Sequence, residues 1–162
     1  MTMLYTDDDQ MVLPDWIDHN GHMNVSRYLI LFDVAIEKAF TDIGIRYDAV
    51  AETGITTFAV ENHLTYHAEV FESDRLRVTS QLLDYDEKRW HWFQRAYHAE
   101  KGYLAASCEW LVLCIDIHRR RAAPMPPALA RRTAEIHHLH AALPRPSEAG
   151  RNVSLANKRA AV

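Results

Sequence analysis

The residues best equipped for chemistry lie together in "WIDHNGHMN", Trp16 to Asn24, where Asp18, His19, Asn20, Gly21, His22 and Asn24 stand just ahead of a strongly apolar, helix-periodic stretch. Hydrolysis at an acyl carbonyl needs a carboxylate that activates water or attacks the carbonyl, plus donors aimed at the oxyanion that develops. Asp18 can supply the first. A glycine at Gly21 lets backbone N–H groups come close to a ligand, and a helix beginning near Asn24 turns its positive end toward the same place. The same residues are also the commonest turn formers and helix caps, so Asp18 as a plain turn residue and Asn24 as a plain cap fit equally well on residue type alone.

The elements that must position this knot can be read along the chain. Val25, Tyr28, Leu29, Phe32, Ala35, Ile36, Ala39, Phe40 and Ile43 follow the 3-4-3-4 spacing of one wide helical face. Asn24 is the N-cap, Met23 and Tyr28 form a hydrophobic staple, and Gly44 is the stop. After Gly54 the period changes to alternation. In "TFAVENHLTYHA" Phe58, Val60, Leu64 and Tyr66 share one face, and Thr57, Glu61, His63, Thr65 and His67 the other. "RLRVTSQLLDY", "RWHWFQRAYHA" and "YLAASCEWLVLCIDI" read as three further strands joined by two tight connections, "QMVL" before Pro14 as a fifth, and "PALARRTAEIHHL" as a closing helix. The expected fold class is α+β, an antiparallel sheet of about five strands with one long helix. The domain is expected over residues 1–140, followed by a polar C-terminal tail over 141–162 that is loose or partner-dependent. One long helix covers only one sheet face, which predicts a homodimer, or a dimer of dimers.

Composition limits the function classes. A chain of 162 residues with 48% hydrophobic and 25% charged residues is about one domain that buries a real core. A net charge of −4 leaves no basic footprint for nucleic acid, the run Arg119 to Arg121 being too short. No apolar run spans a membrane and no signal segment is seen, so a cytoplasmic protein is expected. Cys108 and Cys114 are expected to be buried thiols rather than a disulfide. His137, His138 and His140 read as a polar helix end, and neither a metal nor a cofactor is implied.

In "WIDHNGHMNVSRYLILFDVA", Asp18, Gly21, His22, Asn24, Tyr28, Phe32 and Asp33 occupy a D-x-x-G-H-x-N-x-x-x-Y-x-x-x-F-[DE] pattern. With the order of elements over residues 10 to 130, this resembles the hotdog-fold acyl-CoA thioesterases related to 4-hydroxybenzoyl-CoA thioesterase, in which the sheet wraps around the central helix. "LTYHAEVFESDRLRV" resembles that family's strand, turn and strand, with Ser73 where glycine is usual. "LPDWIDHNGHMN", "VENHLTY" and "YHAEKGYLAA" look most like the branch that hydrolyses betainyl-CoA in carnitine breakdown.

The resemblance implies an acyl-CoA substrate, with Asp18 as general base or nucleophile, backbone N–H groups around Gly21 to Met23 as the oxyanion site, and His22 and Asn20 orienting water or carboxylate. Glu61 and His63 share a strand face and could form a second half of the site, a solvated face or an ion pair. A betainyl group carries a quaternary ammonium that aromatic faces recognise. Trp16, Tyr28, Phe32, Trp90, Trp92 and Trp110 are candidates for that pocket, although strand tryptophans usually fill cores. Lys88, Arg89 and Arg119 are candidates for holding coenzyme A. An enoyl-CoA hydratase of the same fold is disfavoured because it uses D-x-N-P-x-H, one residue longer. A non-catalytic acyl-CoA-binding module has no use for the Asp18 cluster, and a thioesterase for another short-chain or aromatic acyl group remains open.

Overall fold

The computed structural model describes residues 4–157. Its elements in chain order are β1 (Tyr5–Met11), α1 (Val25–Ile43), α2 (Val50–Thr53), β2 (Ile55–Tyr66), β3 (Arg75–Tyr85), β4 (Arg89–His98), β5 (Leu104–Asp116), β6 (Arg121–Ala122) and α3 (Pro127–Ala141). The strands form one antiparallel sheet in the order β1-β3-β4-β5-β2, with the short β6 on β5.

The sheet curls around α1 in the hotdog arrangement. The helix starts where the Asn24 side chain accepts from Ser26 N at 3.0 Å and stops at Gly44, whose φ of 110° suits a residue without a Cβ. Its buried face is Tyr28, Leu31, Phe32, Ala35, Ile36, Ala39, Phe40 and Ile43. Phe40 meets Trp90 and Trp92 edge-on, at centroid distances of 5.1 and 5.7 Å. The closing helix α3 lies on the same side: Leu129 and Ile136 join the core, and Trp90 Nε1 donates to Thr133 Oγ1 at 3.1 Å. Cys108 and Cys114 are buried free thiols, and burial pushes the Cys114 thiol up to about 11.

Three features differ from the expectations. The edge strand is Tyr5–Met11 rather than the "QMVL" stretch, because Tyr5 to Met11 pair with Ser80 to Arg75 while Val12 turns inward and is fully buried. Its acidic residues suit an edge: Asp7 is paired with Lys38 at 2.8 Å, and Asp8 with Arg77. In β2 a bulge leaves Val60 outside the pairing, since Ala59 faces Val112 and Glu61 faces Leu111. The side-chain alternation therefore resets, and Phe58 and Val60 do not continue the face of Leu64 and Tyr66.

The third difference is the tail. Beyond α3 the chain crosses to the sheet face remote from α1 and is clamped there: Glu148 pairs with Arg95, Gly150 N donates to Glu109 Oε2 at 2.7 Å, and Pro146 is buried. Val153 and Leu155 then stand out in solvent. Residues 158–162 of the expected tail, and residues 1–3 of the expected domain, lie outside the described residues.

Candidate active site

The loop that carries the polar knot is a tight hairpin. Ile17 and Met23 form an antiparallel bridge, with Asp18 N donating to His22 O at 3.1 Å and Asn24 N to Trp16 O at 2.8 Å. Gly21 closes it at φ 79°; a Cβ there would meet nothing within 4 Å, so the glycine serves the turn and not a close approach of protein atoms. Met23 N donates to Val70 O at 2.9 Å, which ties the hairpin to the segment following β2.

Asp18 sits at the mouth of this loop with both carboxylate oxygens engaged. Asn20 N donates to Oδ1 at 2.8 Å and Asn24 Nδ2 to Oδ2 at 3.1 Å. The backbone hydrogen bond from Asn20, followed by that from Asn24 and the nearby His22 and His19, holds the carboxyl below its ordinary value despite a smaller opposing effect of desolvation. The Asp18 carboxylate keeps lone pairs to spare, since each oxygen accepts one bond. Asn24 performs two roles at once: its carbonyl caps α1 and its amide group holds Asp18.

His22 Nδ1 contacts the Met23 carbonyl at 3.2 Å, a geometry in which Nδ1 carries the proton, leaving Nε2 toward Glu69 at 3.8 Å. The amides of Gly21 and Met23, expected as oxyanion donors, are committed to Asp18 O at 3.0 Å and to Val70 O. Among the hydrogen bonds of the described residues, the His22 and Val25 N–H groups of this loop have no internal acceptor. They lie at the positive end of α1.

The aromatic candidates separate. Trp16 packs half-buried beside the hairpin, and Tyr28 lies just inside it. Phe32, Trp90 and Trp92 are fully buried in the core, and Trp110 nearly so, its Nε1 donating to Gln94 Oε1 at 2.8 Å. Their side chains are spent on packing around α1 and α3. Two aromatic residues that were not singled out bond segments flanking the hairpin: Tyr66 at the end of β2, whose hydroxyl donates to Val25 O at 3.3 Å, and Tyr103, whose hydroxyl donates to Glu69 O at 2.8 Å. Only the pairing of β2 with β5 brings them together, and no local periodicity carries that information.

The remaining candidates stand elsewhere. Glu61 and His63 line a cavity of about 770 Å³ between the sheet and the tail, together with Arg89, His91, Glu109 and the backbone around Gly150. Trp90 and Trp110 also border it. Lys88 and Arg89 occupy the β3–β4 turn and Arg119 the turn after β5, paired with Glu87, Asp86 and Asp116. Asp18 is at the opposite end of the sheet, beside the segment joining β2 to β3. Within one chain, these cations and Asp18 are not brought together. His137, His138 and His140 diverge: His140 Nδ1 accepts from Leu82 N at 2.8 Å inside the fold, while His137 stacks on Tyr85 at 5.1 Å. No described helix is long and apolar enough to cross a membrane.

Residues 12–133 match the family model described as the thioesterase-like superfamily. The chain is 32% identical over 155 residues to a betainyl-CoA thioesterase of Pseudomonas aeruginosa, covering 96% of this chain and 98% of that protein. It is 35% identical to an L-carnitine dehydrogenase/betainyl-CoA thioesterase of Rhizobium meliloti, covering 90% of this chain but 29% of that longer protein. A Staphylococcus aureus protein solved in complex with CoA superposes with a TM-score of 0.87 at 29% identity, over 94% of this chain and 95% of that one. With a family match running from the Asp18 hairpin through the sheet to α3, the chain belongs to the thioesterase-like superfamily of hotdog fold.

Proposed function

We propose that the protein hydrolyses betainyl-CoA to betaine and CoA, with Asp18 as the catalytic carboxylate. The observation that carries the chemistry is the ionised Asp18, oriented by Asn20 N and Asn24 Nδ2 at the positive end of α1. Kinship with the Pseudomonas aeruginosa betainyl-CoA thioesterase along nearly the whole chain supports the choice of acyl group.

In this reading Asp18 takes a proton from water as the water oxygen attacks the thioester carbonyl. The carbonyl oxygen becomes an oxyanion facing the free N–H groups of His22 and Val25. The tetrahedral intermediate collapses with loss of the CoA thiolate, which takes the proton from Asp18 to become the thiol, and betaine leaves as the carboxylate after giving its acid proton to solvent. Asn20 and Asn24 fix the base, and His22 Nε2, the ring nitrogen without the proton, accepts from the attacking water and so orients it. Direct attack by Asp18, giving a mixed anhydride that water then opens, uses the same residues. Single-turnover reaction with hydroxylamine separates the two: attack by the carboxylate gives an Asp18 anhydride that hydroxylamine captures as a hydroxamate, with 18O from water entering Asp18 where the anhydride opens at its own carbonyl, and water activation gives neither.

We further infer a homodimer in which β2 pairs with its counterpart. Among the described residues the outer edge of β2 has no strand beside it, and Leu29, Ile30 and Val34 of α1 and Val60 and Tyr66 of β2 are exposed apolar or aromatic groups. Antiparallel pairing of two β2 strands sets one subunit's Asp18 end beside the other's Arg119 end, which would bring those cations toward Asp18 to hold the CoA phosphates. A CoA thioester substrate assigns the reaction to the cytoplasm. The test is a panel of betainyl-, acetoacetyl-, 4-hydroxybenzoyl- and medium-chain acyl-CoA thioesters with free-thiol detection. Betainyl-CoA is expected to give the highest kcat/KM, and a higher value for any other member replaces the acyl assignment.

A further inference from the structure

We propose that the acyl-group specificity of this site is set by Tyr66 and Tyr103, backed by Tyr28 and joined by the Glu69 carboxylate, which together form a receptor for a quaternary ammonium. This rests on the reading of the substrate above and names the residues that would make it selective.

Tyr28 and Tyr66 meet edge to face, with centroids 5.2 Å apart and planes at 72°. Tyr66 is 42% exposed, so part of its ring stays open beside that contact. Tyr66 is pinned by its bond to Val25 O, the first carbonyl of α1, one residue after the Asn24 that holds Asp18. Tyr103 is pinned from the other side by its bond to Glu69 O. Glu69 itself points its carboxylate toward His22 and keeps a side chain 62% exposed. Burial first, then the neighbouring Tyr103, Tyr66 and Glu69, raise the Tyr28 phenol.

The chemistry selects the ligand. A trimethylammonium has no N–H to donate and cannot be held by a conventional hydrogen bond. It is attracted by aromatic faces and by a carboxylate that need not touch it. Phenols whose hydroxyls are already tied to backbone carbonyls offer their rings and little else. A neutral acyl group of the same shape would gain only apolar contact from these rings and nothing from Glu69. The tryptophans cannot take this role from the core, whereas these tyrosines stand beside the base.

The experiment compares betainyl-CoA with its uncharged isostere 3,3-dimethylbutyryl-CoA in the full chain and in Tyr66→Leu, Tyr66→Phe, Tyr103→Leu and Glu69→Gln. The native enzyme is expected to prefer the cation. Tyr66→Leu and Tyr103→Leu should each cut that preference by about 2- to 30-fold. Tyr66→Phe, which keeps the ring and loses the hydroxyl, should retain it. Glu69→Gln should lower kcat/KM for the cation and leave the isostere within about threefold. A preference unchanged by all three of Tyr66→Leu, Tyr103→Leu and Glu69→Gln overturns the receptor while leaving the thioesterase standing. If the native protein cleaves neither ester, the substrate reading has failed, and titration with tetramethylammonium followed by NMR of the tyrosine rings decides the receptor alone. Saturable shifts lost in Tyr66→Leu uphold it, and no shift at any tyrosine overturns it.

Discussion

Two pairings of carboxylate with histidine, at the start of α1 and on the sheet face remote from α1, differ in how the carboxylate is spent. At the start of α1, Asp18 accepts one bond on each oxygen from neighbours that bring no formal charge. On the remote face, Glu109 accepts from His91 at 2.6 Å on one oxygen and from the Gly150 amide on the other, and the tail lies over it. The first arrangement orients a charge and leaves it available beside a helix terminus; the second uses a charge to fasten one segment to another. Residue type does not distinguish them, and geometry does.

The sharpest way to break this comparison is to neutralise each carboxylate in turn. Asp18→Asn removes the negative charge while keeping size, and kcat should fall by roughly 10²–10⁴-fold in a folded protein. Glu109→Gln should leave kcat within about threefold. Equal losses in the two variants would show that the remote cluster takes part in the reaction. The pH profile sharpens the same point. Because the folded Asp18 carboxyl lies below its ordinary value, the reactive ionised form persists through the ordinary carboxylate range, and protonation of Asp18 should cut the rate only on the acid side of that range. Linkage has the same sign: whatever stability Asp18 contributes is present above its unfolded value and is lost as pH falls through the folded one.

The next largest effect concerns the β2 edge. Ile30→Glu and Val34→Glu place charges on the exposed stripe of α1 without touching the core. Sedimentation is expected to show a dimer for the native chain and a monomer for the double variant, with activity reduced about tenfold or more if the neighbouring subunit supplies the CoA-binding cations. A fully active monomer contradicts the shared site.

On the remote face, Glu148→Gln tests the fastening role. Arg95 and Glu148 have side chains 26% and 16% exposed. The Arg95 hydrogen bond and charge hold the Glu148 carboxyl below its ordinary value even though burial, the largest single influence, acts upward. Losing the charge should destabilise the fold by about 1–3 kcal/mol, read as a shift of the urea midpoint, with kcat unchanged.

How much of this was legible follows from where the information lies. The ends of α1 and the spans of β3 to β5 were readable because caps, turns and periodicity are local; β3 was expected over residues 75–85 and spans Arg75–Tyr85. Asp18 and Asn24 stood out for the same reason. The edge strand was misplaced because "YTDDDQM" lacks strand propensity and is held by pairing with β3. The bulge at Val60 exists only in register with β5. Trp90 and Trp92 were recognisable as a pair on one strand face, but which face meets α1 is a tertiary fact. The tail was read as loose because its anchors, Arg95 and Glu109, lie far back in the sequence.

The smallest expected effect concerns the turn that supports the hairpin from behind. Ser73 has φ 67°, in the left-handed region that costs an L-residue roughly 1 kcal/mol. Its neighbours explain why the turn persists: Ser73 N donates to Val12 O at 2.9 Å, and Asp74 accepts from Phe71 N at 2.8 Å. Val70, just ahead of this turn, accepts from Met23 N and so steadies the Asp18 loop. Ser73→Gly removes the steric cost but gives back part of it through the greater freedom of glycine in the unfolded chain, so the net gain should be about 0.5 kcal/mol, or roughly 1–2 °C in Tm. Ser73→Ala retains the Cβ and should show no gain. Because the native backbone already holds the turn, kcat should be the same in all three proteins; a rise in kcat with Ser73→Gly would instead mean that strain in this turn displaces Asp18 from its best position.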